Sequence, residues 1–147
     1  MTGRMMAVVA ALALVAGCAA MGPKGVTVLE MEEATLTKAA VKDLAGASGG
    51  KTVLLTDESS EVTVTANLKK GAYEVTFYGV APSYDEDAFY VRIGDGEEMR
   101  LVISDIAKLL PSKPVKFSVD KDGPCKILIS FAEENVQLDR VEIKAVK

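Results

Sequence analysis

The sequence contains no histidine and no tryptophan in 147 residues, and aromatic side chains make up only 5% of it. Histidine is the commonest general base in enzymes and the commonest metal ligand in proteins. Catalytic triads that need a histidine are therefore excluded, and so is any metal site built on imidazole.

The charge balance is mildly acidic, with 21 Asp and Glu residues against 17 Lys and Arg residues. The resulting net charge of −4 disfavours nucleic acid as a partner, because phosphate backbones attract basic proteins. Hydrophobic residues make up 49% of the chain, which is enough for a core. The length fits one domain plus a targeting segment.

Residues 1–17 have the organisation of a secretory signal peptide. Arg4 gives a basic start, and residues 5–15 form an apolar run. This run is too short to span a bilayer, which needs about 20 residues. It ends in Leu-Val-Ala-Gly-Cys at residues 14–18, which resembles the lipobox of bacterial lipoproteins.

The lipobox resemblance implies cleavage before Cys18, which then becomes the lipidated first residue. Two or more acyl chains hold a protein firmly on a membrane. Ala19 stands where inner-membrane lipoproteins carry Asp, so the resemblance implies the outer membrane of a bacterial cell envelope. Residues 18–25 then form the lipidated cysteine and a short tether. The alternative is an ordinary signal peptide with a cysteine there by chance.

The chain has only two cysteines. With Cys18 acylated, Cys125 has no partner for an internal disulfide. Its apolar neighbours predict a buried thiol, and the lack of histidine argues against a catalytic one.

From residue 26 onward, apolar and polar residues alternate, as is typical of half-buried antiparallel strands. The alternation is clearest at residues 62–68, 73–78, 127–131 and 141–145. Turn-forming residues separate these stretches, at residues 69–71, 95–96 and 120–123. Short strands at this spacing predict an all-β sandwich or barrel in residues 26–147.

Three shorter segments carry weaker signals. Residues 104–110 predict one or two helical turns, because Ser104 can cap a helix and Pro111 can end it. Residues 45–52 nearly match a phosphate-binding P-loop, but Ala45 replaces a required glycine, which favours a glycine-rich turn before a strand. Residues 84–87 fit a solvated loop or a ligand-contacting rim better than a paired-carboxylate hydrolase site.

Paired acids open the body of the chain at residues 29–34. On a strand, Glu30 and Glu32 would share one face while Leu29 and Met31 face the core. Two such carboxylates repel each other unless water or a cation lies between them. Asp139 has the parity of core positions, so its carboxylate needs compensation, for which Ca²⁺ is suited. The alternative places Asp139 just outside the core, at a turn.

The order of these pieces resembles carbohydrate-binding modules of families 6 and 35, which are jelly-roll sandwiches with the galactose-binding-like fold. An acidic opening, a Gly-Ala-Ser-Gly-Gly-Lys stretch, a Val/Thr strand, a Gly-x-Tyr and a closing Asp motif follow one another. They correspond to residues 30–34, 46–51, 62–68, 71–73 and 137–139, with residues 85–96 as a further match.

The resemblance implies a structural Ca²⁺ held by Glu30, Glu32 and Asp139. It also implies a sugar site in the loops at one end or on a concave sheet face, with an aromatic platform. The candidate ligand-binding residues are Tyr78, Tyr84, Asp85, Asp87 and Gln137. Gln137 replaces the asparagine of the family motif, and no tryptophan is present for stacking.

The sequence therefore predicts a non-catalytic, lipid-anchored envelope module that binds carbohydrate. The main alternative is an envelope lipoprotein with the same fold that acts in protein interaction or assembly and binds no sugar. An enzyme is disfavoured by the missing histidine and the short chain.

Overall fold

The computed structural model describes residues 20–21 and 25–147. The predicted signal peptide at residues 1–17 and the predicted lipidation site Cys18 lie outside these residues. No helix in the described part of the chain is long and apolar enough to cross a membrane. The described residues form two antiparallel β-sheets, and two short 3-10 turns are the only helical segments among them.

The strands follow one another with short connections. In chain order they are β1 (Ala20–Met21), β2 (Val26–Glu30), β3 (Thr35–Thr37), β4 (Ala39–Asp43), β5 (Lys51–Leu55), β6 (Glu61–Leu68), β7 (Gly71–Val80), β8 (Ala88–Ile93), β9 (Met99–Val102), β10 (Leu109–Pro111), β11 (Val115–Val119), β12 (Gly123–Phe131) and β13 (Gln137–Val146). The 3-10 turns are Met31–Glu33 and Ser48–Gly50.

The larger sheet is organised around β13. One edge of β13 pairs with β7 over most of its length. Its other edge pairs first with β5, at residues 137–138, and then with β2, from residue 140 onward. Outside this centre, β1 pairs with β2, β4 with β5, and β10 and β11 with β7.

The smaller sheet has the strand order β3-β6-β12-β8-β9. The inner faces of the two sheets form one hydrophobic core, as alternation on half-buried strands requires. Phe77 of the larger sheet meets Phe89 of the smaller sheet edge to face, with ring centroids 5.7 Å apart. The predicted all-β jelly-roll sandwich is therefore confirmed.

Three connections lie at one end of the sandwich, which we call the loop pole. They are residues 81–87, 103–108 and 132–136. The amide of Ile103 donates to the carbonyl of Asp87, and the amide of Ala107 donates to that of Ala81. These bonds fix the first connection against the second.

The predicted helix at residues 104–110 is wrong. This segment joins β9 to β10 through a series of bends, and Leu109 and Leu110 belong to β10. Asp105 accepts from the Ile106 amide and from Lys108 Nζ, and Ala107 has a φ of 58°, which breaks a helix. A parallel bridge between Ile106 and Ala81 satisfies the backbone instead.

The register between β7 and β13 shifts at Asp139. Leu138 lies opposite Gly79 and Arg140 opposite Tyr78, so Asp139 is the extra residue of a β-bulge. At the bulge the backbones of the two strands lie close together. A Cβ atom placed on Gly79 would lie only 2.6 Å from the carbonyl oxygen of Gln137. Gly79 is therefore required for the close approach rather than for a special φ.

Replacing Gly79 with alanine should destabilise the protein. The new methyl group meets backbone on β13, which cannot rotate away, so we expect a loss of about 1–3 kcal/mol in the free energy of unfolding. Urea denaturation followed by circular dichroism measures this loss. Thr76→Ala on the same strand is the control, with a change of at most about 1 kcal/mol. Equal stability of both variants would contradict the close approach.

Candidate functional site

Three carboxylates converge beside β13, at the point where the strand paired with its edge changes from β5 to β2. Glu30 ends β2, Glu32 lies in the following 3-10 turn, and Asp139 occupies the bulge. Asp139 is fully buried, which decides for the core position over the turn outside the core, and Met31 is buried as well. The predicted extended geometry for Glu30 and Glu32 is wrong, because the strand ends at Glu30 and the chain coils.

The glycine-rich loop closes over these acids. The Ser48 amide donates to Asp139 Oδ1 at 2.9 Å, and the Ser48 hydroxyl donates to Glu30 Oε1. Gly49 has a φ of 64°, and a Cβ there would lie 2.9 Å from Glu32 Oε1. The loop therefore leads into strand β5 and contacts carboxylates, which agrees with a glycine-rich turn and not with a phosphate-binding loop.

Burial raises the pKa of Asp139, while the guanidinium of Arg140 and the Ser48 amide oppose that rise. Arg140 Nη1 lies 2.6 Å from Asp139 Oδ2. Burial likewise raises the pKa of Glu32, and the neighbouring carboxylates of Glu30 and Asp139 add to the rise. The cluster thus holds three acids against one guanidinium, which leaves two negative charges when all are ionised.

Two oxygens of the cluster have no hydrogen-bond partner. Glu30 Oε2 and Glu32 Oε2 are both buried and unsatisfied. Buried carboxylate oxygens without partners are costly, and a hard cation with oxygen ligands is one group that would satisfy them. Within the described residues, however, no three acids already form a ready-made set of metal ligands. A cation would therefore have to draw the carboxylates together, or complete its shell with backbone carbonyls and water.

Tyr78 lies on the outer face of the larger sheet beside this cluster. The guanidinium of Arg140 lies 3.8 Å from the centre of its ring, and Arg140 Nε also donates to Glu142 Oε1 at 2.9 Å. This contact covers one face of the ring. Tyr78 is therefore a partner of Arg140 in this structure rather than an open platform.

Gln137 lies at the start of β13, on the same outer face. Its Oε1 accepts from the hydroxyl of Thr52, at 2.7 Å, and Thr52 is fully buried. The carbonyl oxygen of the Gln137 side chain thus already serves the contact between β13 and β5.

The other three candidate residues, Tyr84, Asp85 and Asp87, lie in the loop pole. Tyr84 is 66% exposed, and Asp85 is exposed beside it. Lys108 is the main group that lowers the pKa of Asp105, and the Tyr84 hydroxyl adds to this effect. The ring of Tyr84 is therefore open to solvent while its hydroxyl faces the next connection.

Glu133 holds the base of the loop pole together. Its Oε2 accepts from the amides of Asp87 and Ala88, at 2.8 and 3.0 Å, and its Oε1 pairs with Arg100. Burial and the carboxylate of Glu133 raise the pKa of Asp87. Across the pole, Asn135 Nδ2 donates to Glu86 Oε2. These bonds fix the loop that carries Tyr84 and Asp85.

The candidate residues thus fall into two groups. Tyr84, Asp85 and Asp87 lie together in the loop pole, whereas Tyr78 and Gln137 lie on the outer face of the larger sheet near the acid cluster. No hydrogen bond or ion pair joins the two groups in the described part of the chain. Sequence reasoning missed several residues that shape these sites, namely Ser48, Arg100, Glu133, Asn135 and Arg140.

The sequence matches no protein-family model, and no curated protein matches it. Solved structures do match. A family 35 carbohydrate-binding module from Clostridium thermocellum matches with a TM-score of 0.66 at 13% identity, over 82% of this chain and 98% of that chain. The similarity to this module therefore extends over nearly its whole length.

Two enzymes match over a smaller part of their length. A Podospora anserina GH26-CBM35 β-(1,4)-mannanase gives a TM-score of 0.74 at 17% identity, over 84% of this chain and 28% of that chain. An exo-β-1,3-galactanase from Phanerochaete chrysosporium with β-1,3-galactotriose gives 0.68 at 21% identity, over 81% of this chain and 29% of that chain. The chain spans less than a third of either enzyme.

These matches define the class of fold. The described body of the chain is a β-sandwich with the fold of family 35 carbohydrate-binding modules. A neighbour that matches over nearly its full length is a carbohydrate-binding module, whereas the two enzymes match this chain over only a part of their own length.

Proposed function

We propose that this protein is a non-catalytic module that binds carbohydrate through the loop pole. The observation that carries the proposal is Tyr84, an exposed aromatic ring on a loop fixed at its base, in a sandwich with the fold of carbohydrate-binding modules. The Clostridium thermocellum neighbour is a binding module in its entirety, which supports binding without catalysis.

The chemistry of the pole suits a polyol. The open face of Tyr84 can pack on the apolar C–H face of a sugar ring. Asp85, which is exposed, can accept hydrogen bonds from sugar hydroxyls, and such charge-assisted bonds are strong. The hydrogen bond from the Asp87 amide to Glu133 holds the loop in place, so the loop loses little conformational entropy on binding.

Tyr78 and Gln137 take a lesser part in this proposal. Arg140 covers one face of the Tyr78 ring, and Thr52 uses the side-chain oxygen of Gln137. Either residue would have to exchange an existing contact for one with the ligand. The loop-pole group needs no such exchange, so we place the main sugar contacts there.

A structural Ca²⁺ at Glu30, Glu32 and Asp139 is part of the same proposal. What supports it is the donor set: two orphaned buried carboxylate oxygens, a fully buried Asp139, and two net negative charges. When bound, the ion would link the opening of the chain to its closing strand. The unpaired Glu30 Oε2 and Glu32 Oε2 would be its first side-chain ligands.

The anchor is the third part of the proposal. It is supported by the Leu-Val-Ala-Gly-Cys stretch at residues 14–18 and by Ala19 after it. Cys18 would carry the lipid on a bacterial envelope, most simply the outer membrane. Ala20 and Met21 pair with β2, so the chain rejoins the sandwich two residues after Cys18. The module would then be held close to the membrane surface.

Tyr84→Ala should weaken sugar binding about tenfold or more, because the stacking face and its buried area are lost. Tyr84→Phe is the matched control, since it keeps the ring and should retain most of the affinity. A glycan array identifies the ligand, and calorimetry measures both variants against it. Silence across the array with Ca²⁺ present would contradict sugar binding and favour the protein-interaction alternative, which crosslinking in intact cells tests.

Chelation with EDTA should lower the melting temperature by about 10 °C from its value in saturating calcium, because a ligand at 100 times its Kd stabilises by about 2.7 kcal/mol. Asp139→Asn should remove most of this response while keeping the shape of the side chain. Asp122→Asn is the control, because Asp122 is exposed, pairs with Lys69, and lies beside the start of β12, at the opposite end of the strands from the cluster. If EDTA leaves the melting temperature of the unmodified protein unchanged, the calcium assignment is wrong.

Cys18→Ser should abolish incorporation of labelled palmitate in cells, because the acylated sulfur is gone. Cys125→Ser is the matched control, since the buried Cys125 thiol has a pKa raised by burial and should play no part. Gel fluorography of the labelled protein measures both. Label that persists in Cys18→Ser would contradict the anchor.

A further inference from the structure

In the part of the chain that the structure describes, three strands each leave one backbone edge unpaired on the same side of the sandwich. We call this the anchor side. β1 and β4 end the larger sheet beside β2 and β5, and β3 ends the smaller sheet. Residue 38 alone joins β3 to β4, so these two edges lie together. β9 ends the smaller sheet on the opposite side, because β10 follows it and pairs with β7, across β13 from β2 and β5.

The chain enters the sandwich halfway along the anchor side. Ala20 lies opposite Val28 of β2. Across the larger sheet, Val28 lies opposite Glu142, and Glu142 lies opposite Thr76 of β7. Thr76 is four residues from one end of β7 and five from the other. At about 3.4 Å per residue, Ala20 is roughly 14 Å from the loop-pole end of the sheet and roughly 17 Å from the other end.

The tether is shorter than either of these distances. Cys18 precedes Ala20 by two residues, which span at most about 7 Å when the chain is fully extended. A sandwich that stood on the loop pole, or on its far end, would hold Ala20 about twice that far from the membrane. A membrane that holds a lipidated Cys18 therefore meets the sandwich along its length, near β1.

Two surfaces lie within the reach of the tether, the anchor side and the outer face of the larger sheet. On the outer face the strands pair with one another, so their backbone groups are already satisfied. Among the described residues of the anchor side, the unpaired strand edges present amides that can donate to phosphate and ester oxygens. Val41 of β4 is 44% exposed there and adds an apolar side chain. The anchor side therefore gains more from contact with phospholipid headgroups.

The charge of the anchor side neither drives nor opposes this contact. The charged residues of β3, β4 and the segments beside them have both signs: Lys38, Lys42 and Lys51 against Glu33, Asp43, Asp57 and Glu58. Lys51 and Asp43 form an ion pair. Because the two signs nearly balance, the length of the tether decides which surface meets the membrane.

We infer, on the basis of the proposed lipid anchor, that the tether lays the sandwich on its anchor side against the phospholipid headgroups of the membrane that holds Cys18. The edges of β1, β3 and β4 then face the headgroup layer, which also shields them from pairing with the edge of another molecule. The loop pole opens parallel to the membrane plane. Tyr84 is in this way presented to glycans that lie along the membrane surface.

The test places single tryptophan reporters on the lipidated full-length protein, which contains no tryptophan of its own. The protein is reconstituted in phosphatidylcholine vesicles in which a fraction of the lipids carries a nitroxide quencher on the headgroup. We expect the fluorescence of Val41→Trp to be quenched several-fold more strongly than that of Val102→Trp, the matched control, which is exposed on β9 at the opposite side. Lys144→Trp reports on the outer face of the larger sheet and Glu134→Trp on the loop pole. Both should also be quenched several-fold less than Val41→Trp.

A longer tether tests the cause of the orientation. Inserting about ten Gly and Ser residues between Ala19 and Ala20 extends the average reach to roughly 17–20 Å, which releases the sandwich from the surface. Quenching of Val41→Trp should then fall several-fold. Equal quenching with and without the insertion would show that the tether does not orient the module and would overturn the inference.

The remaining outcomes separate this inference from the anchor itself. Palmitate label on the unmodified chain, with all four reporters quenched equally, would overturn the orientation and leave the anchor standing. Stronger quenching of Lys144→Trp or Glu134→Trp than of Val41→Trp would place another surface on the membrane and would also overturn it. An unmodified chain without palmitate label would overturn the anchor and the orientation together. Far-UV circular dichroism of each variant verifies that the sandwich is folded.

Discussion

The pairing of β13 with three strands is the constraint on which the rest of this structure depends. β7 takes one edge of β13, while β5 and β2 share the other edge in succession. Where the partner of this edge changes from β5 to β2, the strand pairing is interrupted for one residue of β13. The β-bulge places Asp139 at that position, and the loop containing Ser48 covers it. The last strand thus connects the opening of the chain, the glycine-rich loop and the core.

The electrostatics of the acid cluster follow from this arrangement. Asp139 faces inward because the bulge adds a residue without changing the inward parity of Val141 and Ile143. A buried carboxylate must be compensated, and Arg140 and the Ser48 amide do so only in part, since the pKa of Asp139 remains raised. The orphaned oxygens of Glu30 and Glu32 point to the same deficit. The same incompletely compensated buried carboxylates therefore bear on both the stability of the fold and the proposed metal site.

The sandwich also keeps the loop pole and the outer face of the smaller sheet apart. The loop pole combines an exposed tyrosine with loops tied down by Glu133 and Asn135. The outer face of the smaller sheet carries Arg92 and Lys126 at the far end of β8. The two surfaces lie at opposite ends of β8, with the packed core of the sandwich behind them.

The sequence by itself determined the fold class, since the alternation of residues 62–68, 73–78, 127–131 and 141–145 allows only half-buried strands. It also indicated that Tyr84 lies in a loop, whereas it left Asp139 open between a core position and a turn outside the core. The prediction for residues 104–110 was wrong. Ser104 and Pro111 indicated a helix, but the segment instead forms a bridge to Ala81.

Only the tertiary structure decided which side chains meet. Ser48 and Asp139 are 91 residues apart, and Thr52 and Gln137 are 85 apart, so their contacts depend on strand register rather than on local pattern. The stacking of Arg140 on Tyr78 and the alignment of Ala20 with Thr76 have the same origin. Register is set by the packing of the whole core, because shifting one strand by one residue would move every one of its side chains to the other face.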